Sequence, residues 1–99
     1  MENQKTYNGY TNKETWKINL EQVSNHYENY NLFRKYIKNV CSYIKDIEEE
    51  RIILSLSSLM QSTIKSNNEY NYSKDFLKRV DWDSIAEIFY FDEIETIKQ

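Results

Sequence analysis

Phe33, Tyr36, Ile37, Val40, Ile44 and Ile47 recur at spacings of three and four, which places them along one face of a helix. Ile52, Ile53, Leu56, Leu59, Met60 and Ile64 repeat the pattern downstream. No segment alternates apolar and polar residues convincingly, as a half-buried strand would. The sequence contains no proline, so nothing of that kind interrupts a helical chain.

Other elements follow from start and stop signals. Trp16, Leu20, Val23 and Tyr27 predict a first amphipathic helix, with Ile18 off its apolar face. Asn25 and the Asn29–Asn31 segment read as a connection, and Ser66 to Tyr72 as a polar turn. Glu48, Glu49 and Glu50 open the helix that carries the Ile52–Ile64 stripe, where acidic side chains complement the helix dipole. Ser73 is placed to cap a short helix holding Phe76, Leu77 and Val80, with Asp75 in its first turn. Asp81 is placed to cap a last helix, whose apolar side is Ile85, Ala86, Ile88, Phe89, Ile94 and Ile97. The expectation is an all-α, small single-domain bundle of four to five helices over residues 1–99, with residues 1–6 weakly tied down. Trp16, Phe33, Ile37, Leu56, Phe76, Trp82, Ile85 and Phe89 are its candidate core, at roughly 1.5–3 kcal/mol for each large side chain buried. A chain of 99 residues buries roughly 60–70% of its unfolded surface, enough for a core without disulfides.

The stretch Tyr7 to Trp16, YNGYTNKETW, contains the chain's single glycine. Gly9 is expected in a backbone conformation that side chains disfavour, bringing Tyr7 and Tyr10 toward Trp16. Thr11 and Glu14 have the spacing of a capping box, each side chain bonding the other's backbone N–H. This stretch resembles the opening of a family of small, mostly uncharacterised phage, plasmid and other mobile-element proteins, whose N-terminus reads Gly-Trp-Thr-Asn-Tyr-Glu-Thr-Trp. Gly9, Thr11, Asn12, Glu14, Thr15 and Trp16 match it, whereas Tyr10 and Lys13 replace its first Trp and its Tyr. Val80 to Phe89, VDWDSIAEIF, is similar to a second segment of that family, Val-Asp-Trp-Glu-Glu-Ile-Ala-Glu. The resemblance implies a mobile-element setting and carries no catalytic residue.

Several classes of chemistry lack their residues. One cysteine and one histidine cannot make an intramolecular disulfide or complete a zinc site. Cys41, within an apolar stripe, reads as a buried small side chain, and Cys41 with His26 lacks a nucleophile signature. A single glycine cannot build a phosphate-binding loop. No enzyme activity, cofactor or metal is therefore expected. Ile52–Leu54 is the longest aliphatic run, far below the roughly 18 residues of a membrane span. With no basic-then-apolar leader, the expected location is the cytoplasm, that of the host cell if the chain is phage-encoded.

Charge separates along the chain. Residues 1–47 hold seven Lys/Arg against five Asp/Glu, net +2, and residues 48–99 hold six against eleven, net −5. Asp81, Asp83, Glu87, Asp92, Glu93 and Glu95 meet only Lys98 in the last helix, giving an acidic surface suited to a basic groove on a partner. Tyr90 joins this partner-binding set, because tyrosine is enriched at interface hot spots. Tyr7, Tyr10, Tyr27, Tyr30, Tyr70 and Tyr72 also lie near expected helix ends or loops. The expected function is binding and inhibition of a host nucleic-acid-targeting defence complex, of the CRISPR-effector or restriction-enzyme kind, through an acidic nucleic-acid-mimicking surface. The alternative is an accessory or regulatory nucleic-acid-binding protein using Arg34, Lys35, Lys38 and Lys45 on the second helix, a row equally readable as a solvated face.

Overall fold

The structure, a computed structural model, describes residues 9–43, 48–67 and 70–98, with side chains for 9–41, 48–67 and 70–96. Residues 1–6, Tyr7, Ile44, Lys45 and Ile47 lie outside the described residues, as does the Ile97 side chain. The fold is all-α. Its helices are α1 (Lys13–Ile18), a π-helical segment (Asn19–Ser24), α2 (Tyr27–Tyr43), α3 (Glu49–Ser66), α4 (Lys74–Lys78) and α5 (Trp82–Lys98). There is no strand among the described residues. The molecule measures 37 × 35 × 21 Å, so its short dimension is about two helix diameters.

The core joins α2, α3 and α5. Phe33 and Ile37 from α2 meet Ile52, Leu56, Met60 and Ile64 from α3, and Ile85, Ala86, Phe89, Tyr90 and Ile94 from α5. Phe89 takes edge-on contacts from Tyr30, at 5.3 Å between ring centres, and from Phe33, at 6.2 Å. Such perpendicular pairs place a positive ring edge against a negative ring face. Trp82, Leu77 and Val80 extend the buried cluster, while Phe76 and Cys41 pack partly buried against it.

The first helix departs from expectation. Its buried face is Thr15, Ile18, Gln22 and Val23, whereas Trp16 is half-buried, Leu20 is exposed and Tyr27 is 80% exposed. Val23 is buried as the pattern expects, but two of the buried residues are polar, so the apolar pattern missed the phase of the face. The π segment contributes as well: Asn25 N–H donates to Leu20 O at 3.2 Å, an i→i+5 bond that adds a residue to the turn. The Asn29–Asn31 segment lies within α2 rather than in a connection. Asn29 is buried there and donates through Nδ2 to Gln22 O at 2.9 Å, meeting a carbonyl of the π segment. His26 starts α2, its Nδ1 accepting from Asn29 N–H at 3.2 Å.

The capping box is replaced by a different device. Asn12, not Thr11, caps α1: its Oδ1 accepts from Thr15 N–H at 2.8 Å and from the Thr15 hydroxyl at 2.6 Å. The Thr15 hydroxyl in turn accepts from Asp81 N–H at 2.8 Å. Asn12 Nδ2 donates to Arg79 O at 2.8 Å, and the Thr11 hydroxyl donates to Asp81 Oδ2 at 2.8 Å. Asp81 Oδ1 caps α5 by accepting from Ser84 N–H at 3.1 Å. Glu14 reaches Arg79 at 3.6 Å across the same junction. The two motif stretches thus cap each other's helices, some 66–70 residues apart in sequence. Gly9 just before them has φ +92°, the left-handed region expected of it.

Candidate functional site

The Glu48–Glu50 signal does start α3, with Glu49 and Glu50 in its first turn, and α5 packs extensively against α3. Between these helices an open groove of 640 Å³ is lined by Glu49, Glu50, Ile53, Leu54, Asp81, Asp83, Ser84, Glu87 and Phe91. Asp83 and Glu87 are one helical turn apart and Phe91 follows one turn later, so α5 presents all three to one side. Leu54 and Phe91 are 47% and 46% exposed, unusual for apolar side chains that the adjoining core could have covered. Among the described residues the lining has five carboxylates and no Lys or Arg. The site therefore combines negative potential with apolar contact area, the chemistry that receives a basic, partly apolar segment.

The structure divides the acidic residues proposed from sequence. Asp83 and Glu87 are exposed in the groove. Asp81 lines its edge but is half-buried, with both carboxylate oxygens engaged in the helix junction. Asp92 is exposed about two and a half turns beyond Asp83, on the opposite side of α5, where its charge acts on the hydroxyls of Tyr10 and Tyr30. Glu95 is exposed and is not part of the groove lining. Two residues need correction outright. Glu93 is 5% exposed and bonded at 2.8 Å to Arg34 Nε, with the Tyr30 hydroxyl donating at 3.2 Å. Tyr90 is 2% exposed and donates to Glu49 at 3.0 Å. Both are turned inward by the wide apolar arc of α5, which buries more of the helix than a simple amphipathic face.

Burial, reinforced by the Glu49 hydrogen bond and charge, pushes the Tyr90 phenol up to about 12. The phenol thus remains a neutral donor that fixes Glu49 at the groove. Tyr72 is displaced in the same direction by burial and by its bond to Glu21, and Tyr30 by burial and the neighbouring Glu93 charge. Among the described residues, no group of three or more His, Cys, Asp and Glu has the arrangement of a metal site.

On the other face, Arg34, Lys35 and Lys38 line a shallow depression of 270 Å³ with Asn31. Lys35 and Lys38 are exposed, whereas the Arg34 charge is balanced by Glu93. Sequence reasoning did not find the contribution of Glu49, Glu50, Leu54 and Phe91 to one groove. A glutamate at a helix start already has a local explanation, and a single exposed leucine gives no signal until α5 is placed beside it.

A family model matches residues 3–99. The chain belongs to a family of unknown function (DUF7249). No curated protein and no solved structure matches the chain. Among the described residues, no helix is long and apolar enough to cross a membrane.

Proposed function

We propose that this DUF7249 member acts by binding rather than catalysis: a mobile-element protein that engages a basic, nucleic-acid-holding surface of a host defence complex and blocks it. The observation carrying this reading is the α3–α5 groove, where, among the described residues, five carboxylates surround exposed Leu54 and Phe91 with no basic residue in the lining. Nucleic-acid channels present Lys and Arg to phosphates, and a basic loop or helix from such a channel would find carboxylates in their place. Phe91 and Leu54 add contact area that phosphate imitation alone would not supply. The resemblance of the two motif stretches to mobile-element proteins supports the biological setting. The target belongs to the CRISPR-effector or restriction-enzyme class, and the compartment is the host cytoplasm.

The test is competition. The purified chain is added to a restriction nuclease or CRISPR effector from a susceptible host, and target-DNA binding and cleavage are measured. Expected results are loss of DNA binding by the enzyme, weakening of the inhibitory complex by salt, and loss of inhibition in Asp83→Lys with Glu87→Lys. Lys35→Glu with Lys38→Glu should inhibit normally. The alternative, a nucleic-acid-binding accessory protein using Arg34, Lys35 and Lys38, rests on the 270 Å³ depression that gathers them. Tight duplex binding by the chain alone, lost on reversing Lys35 and Lys38, would overturn the inhibitor reading.

A further inference from the structure

A second charged depression lies where α3 ends and α4 begins. It encloses 420 Å³ and is lined by Lys65, Lys74 and Lys78 around Tyr72 and Leu77, with no acidic residue among the described residues of the lining. Among the described residues, none of these lysines forms an ion pair. Lys65 and Lys78 occupy the last turns of α3 and α4, where the helix dipole itself favours a cation. Lys74 has no such explanation: it is the first residue of α4, the end at which a positive charge is disfavoured.

Beside the lysines is a row of rings. Tyr72 stacks on Phe76 at 4.9 Å and on Tyr70 at 5.8 Å, the latter pair inclined by only 2°. The Tyr72 hydroxyl donates to Glu21 at 2.5 Å, fixing the middle ring. Phe76 packs against the core at one end, and Tyr70 ends the row 53% exposed. Asn71 between the tyrosines has φ 55°, a left-handed conformation that asparagine tolerates. A second depression of 280 Å³, lined by Lys17, Glu21 and the same three rings, adjoins the first through Tyr72.

We propose that this corner binds single-stranded nucleic acid, with backbone phosphates over Lys65, Lys74 and Lys78 and an unpaired base stacked on Tyr70. Rings that extend a stack select unpaired bases, and lysines beside them select the backbone without reading sequence. A duplex keeps its bases stacked on one another and offers none to Tyr70. The site is separate from the α3–α5 groove and does not rest on the inhibitor reading.

Fluorescence polarisation of labelled oligothymidylate and oligouridylate with the full chain tests the proposal. Binding at low salt should fall with salt at a logarithmic slope of about −2, as for three phosphates on a single strand. Tyr70→Ala should weaken it roughly five- to a hundredfold, the range of one base stack. Lys74→Glu with Lys78→Glu should abolish it, and Lys74→Gln should weaken it and flatten the salt slope. Lys35→Glu with Lys38→Glu should leave it unchanged, and circular dichroism should report native helix content for these exposed substitutions. No binding at low salt would overturn the proposal. So would binding indifferent to Tyr70 and Lys74, or competition by duplex DNA or polyglutamate as strong as by the oligonucleotides. Comparing the thymidine and uridine oligomers tells DNA from RNA as the better ligand.

Discussion

Asp81 belongs to two regions built on opposite principles. On one side, Asn12, Thr15, Thr11 and Asp81 pair donors with acceptors from both motif stretches, and Thr15 is fully buried. On the other, Asp81 is one of five carboxylates lining a groove in which no described residue is basic. The first region spends its polar groups internally and leaves little to offer a partner. The second retains uncompensated charge and exposed apolar surface, the combination that costs an isolated protein something and gains value when a partner covers it. The most distinctive residues of the sequence thus wire the fold together, while the surface suited to recognition is made of ordinary ones.

The largest test of this contrast concerns the two tryptophans of the motif stretches. Trp82 is buried, and Trp82→Ala should cost about 3–5 kcal/mol. Trp16 is only half-buried, so Trp16→Ala should cost distinctly less in the same urea denaturation series. Equal losses would place Trp16 in the core after all and remove the asymmetry between the two helix starts.

Next comes the junction itself. Thr15→Val preserves shape but removes the hydroxyl that accepts from Asp81 N–H, and an orphaned buried donor costs about 1–3 kcal/mol. Thr15→Ser, which restores the oxygen, should recover most of that loss. Among the described residues the exposed Thr11 hydroxyl bonds to Asp81 alone, so Thr11→Ala should cost no more than about 1 kcal/mol. A Thr15→Val melting curve superimposed on wild type would show that the junction is incidental to stability.

That junction also marks where sequence reasoning succeeds and stops. Helix-forming spacing identified α2, α3 and α5, because an apolar stripe records the face that meets a core. Ser73 and Asp81 were legible as caps, since a cap acts on N–H groups two or three residues ahead. The replacement of the Thr11–Glu14 box by Asn12 was not legible. Two adjacent polar residues, Thr11 and Asn12, could each cap α1 locally, and the choice falls to Asn12 through bonds to Arg79 and, by way of Thr15, to Asp81, partners that only tertiary structure supplies. The phase of the first helix was lost for a related reason: buried Thr15 and Gln22 look like solvent-facing residues until their surroundings are known. Of the acidic site, Asp83 and Glu87 were visible as charge. The inward turn of Glu93 and Tyr90 depended on Arg34 and Glu49 from other helices.

Tyr90 gives a smaller and more selective effect. Its phenol is neutral in the folded chain up to about pH 12, whereas an unfolded tyrosine ionises near pH 10. The folded state therefore holds a proton that the unfolded state releases. This contribution is complete below pH 10 and is lost as pH rises through 12. Tyr90→Phe should reduce the alkaline loss of stability without abolishing it, because Tyr10, Tyr30 and Tyr72 are displaced in the same direction. Chemical denaturation between pH 9 and pH 12 measures the difference, and identical slopes would detach Tyr90 from Glu49.

The smallest expected change in stability is at the groove, and its sign is the informative quantity. Glu87 is exposed, shares the groove with Glu49, Glu50 and Asp83, and lies beyond the first turn of α5, where the dipole favours acids. Glu87→Lys should consequently leave the chain as stable as wild type or more stable, within about 0.5 kcal/mol. Asp83→Lys relieves the same repulsion but loses a favourable first-turn charge, so the two substitutions should differ by a few tenths of a kcal/mol. Salt separates repulsion from any local change in packing. Raising ionic strength from 10 to 150 mM shortens the screening length from about 30 to about 8 Å, which should raise the wild-type melting temperature more than that of Glu87→Lys. A junction variant such as Thr15→Val should keep the wild-type salt response despite its lower melting temperature, since its loss is a buried hydrogen bond. If Glu87→Lys were clearly destabilising, with an unchanged salt response, Glu87 would be serving the fold as the junction residues do. The contrast between an internally satisfied region and a surface of unbalanced negative charge would then fail.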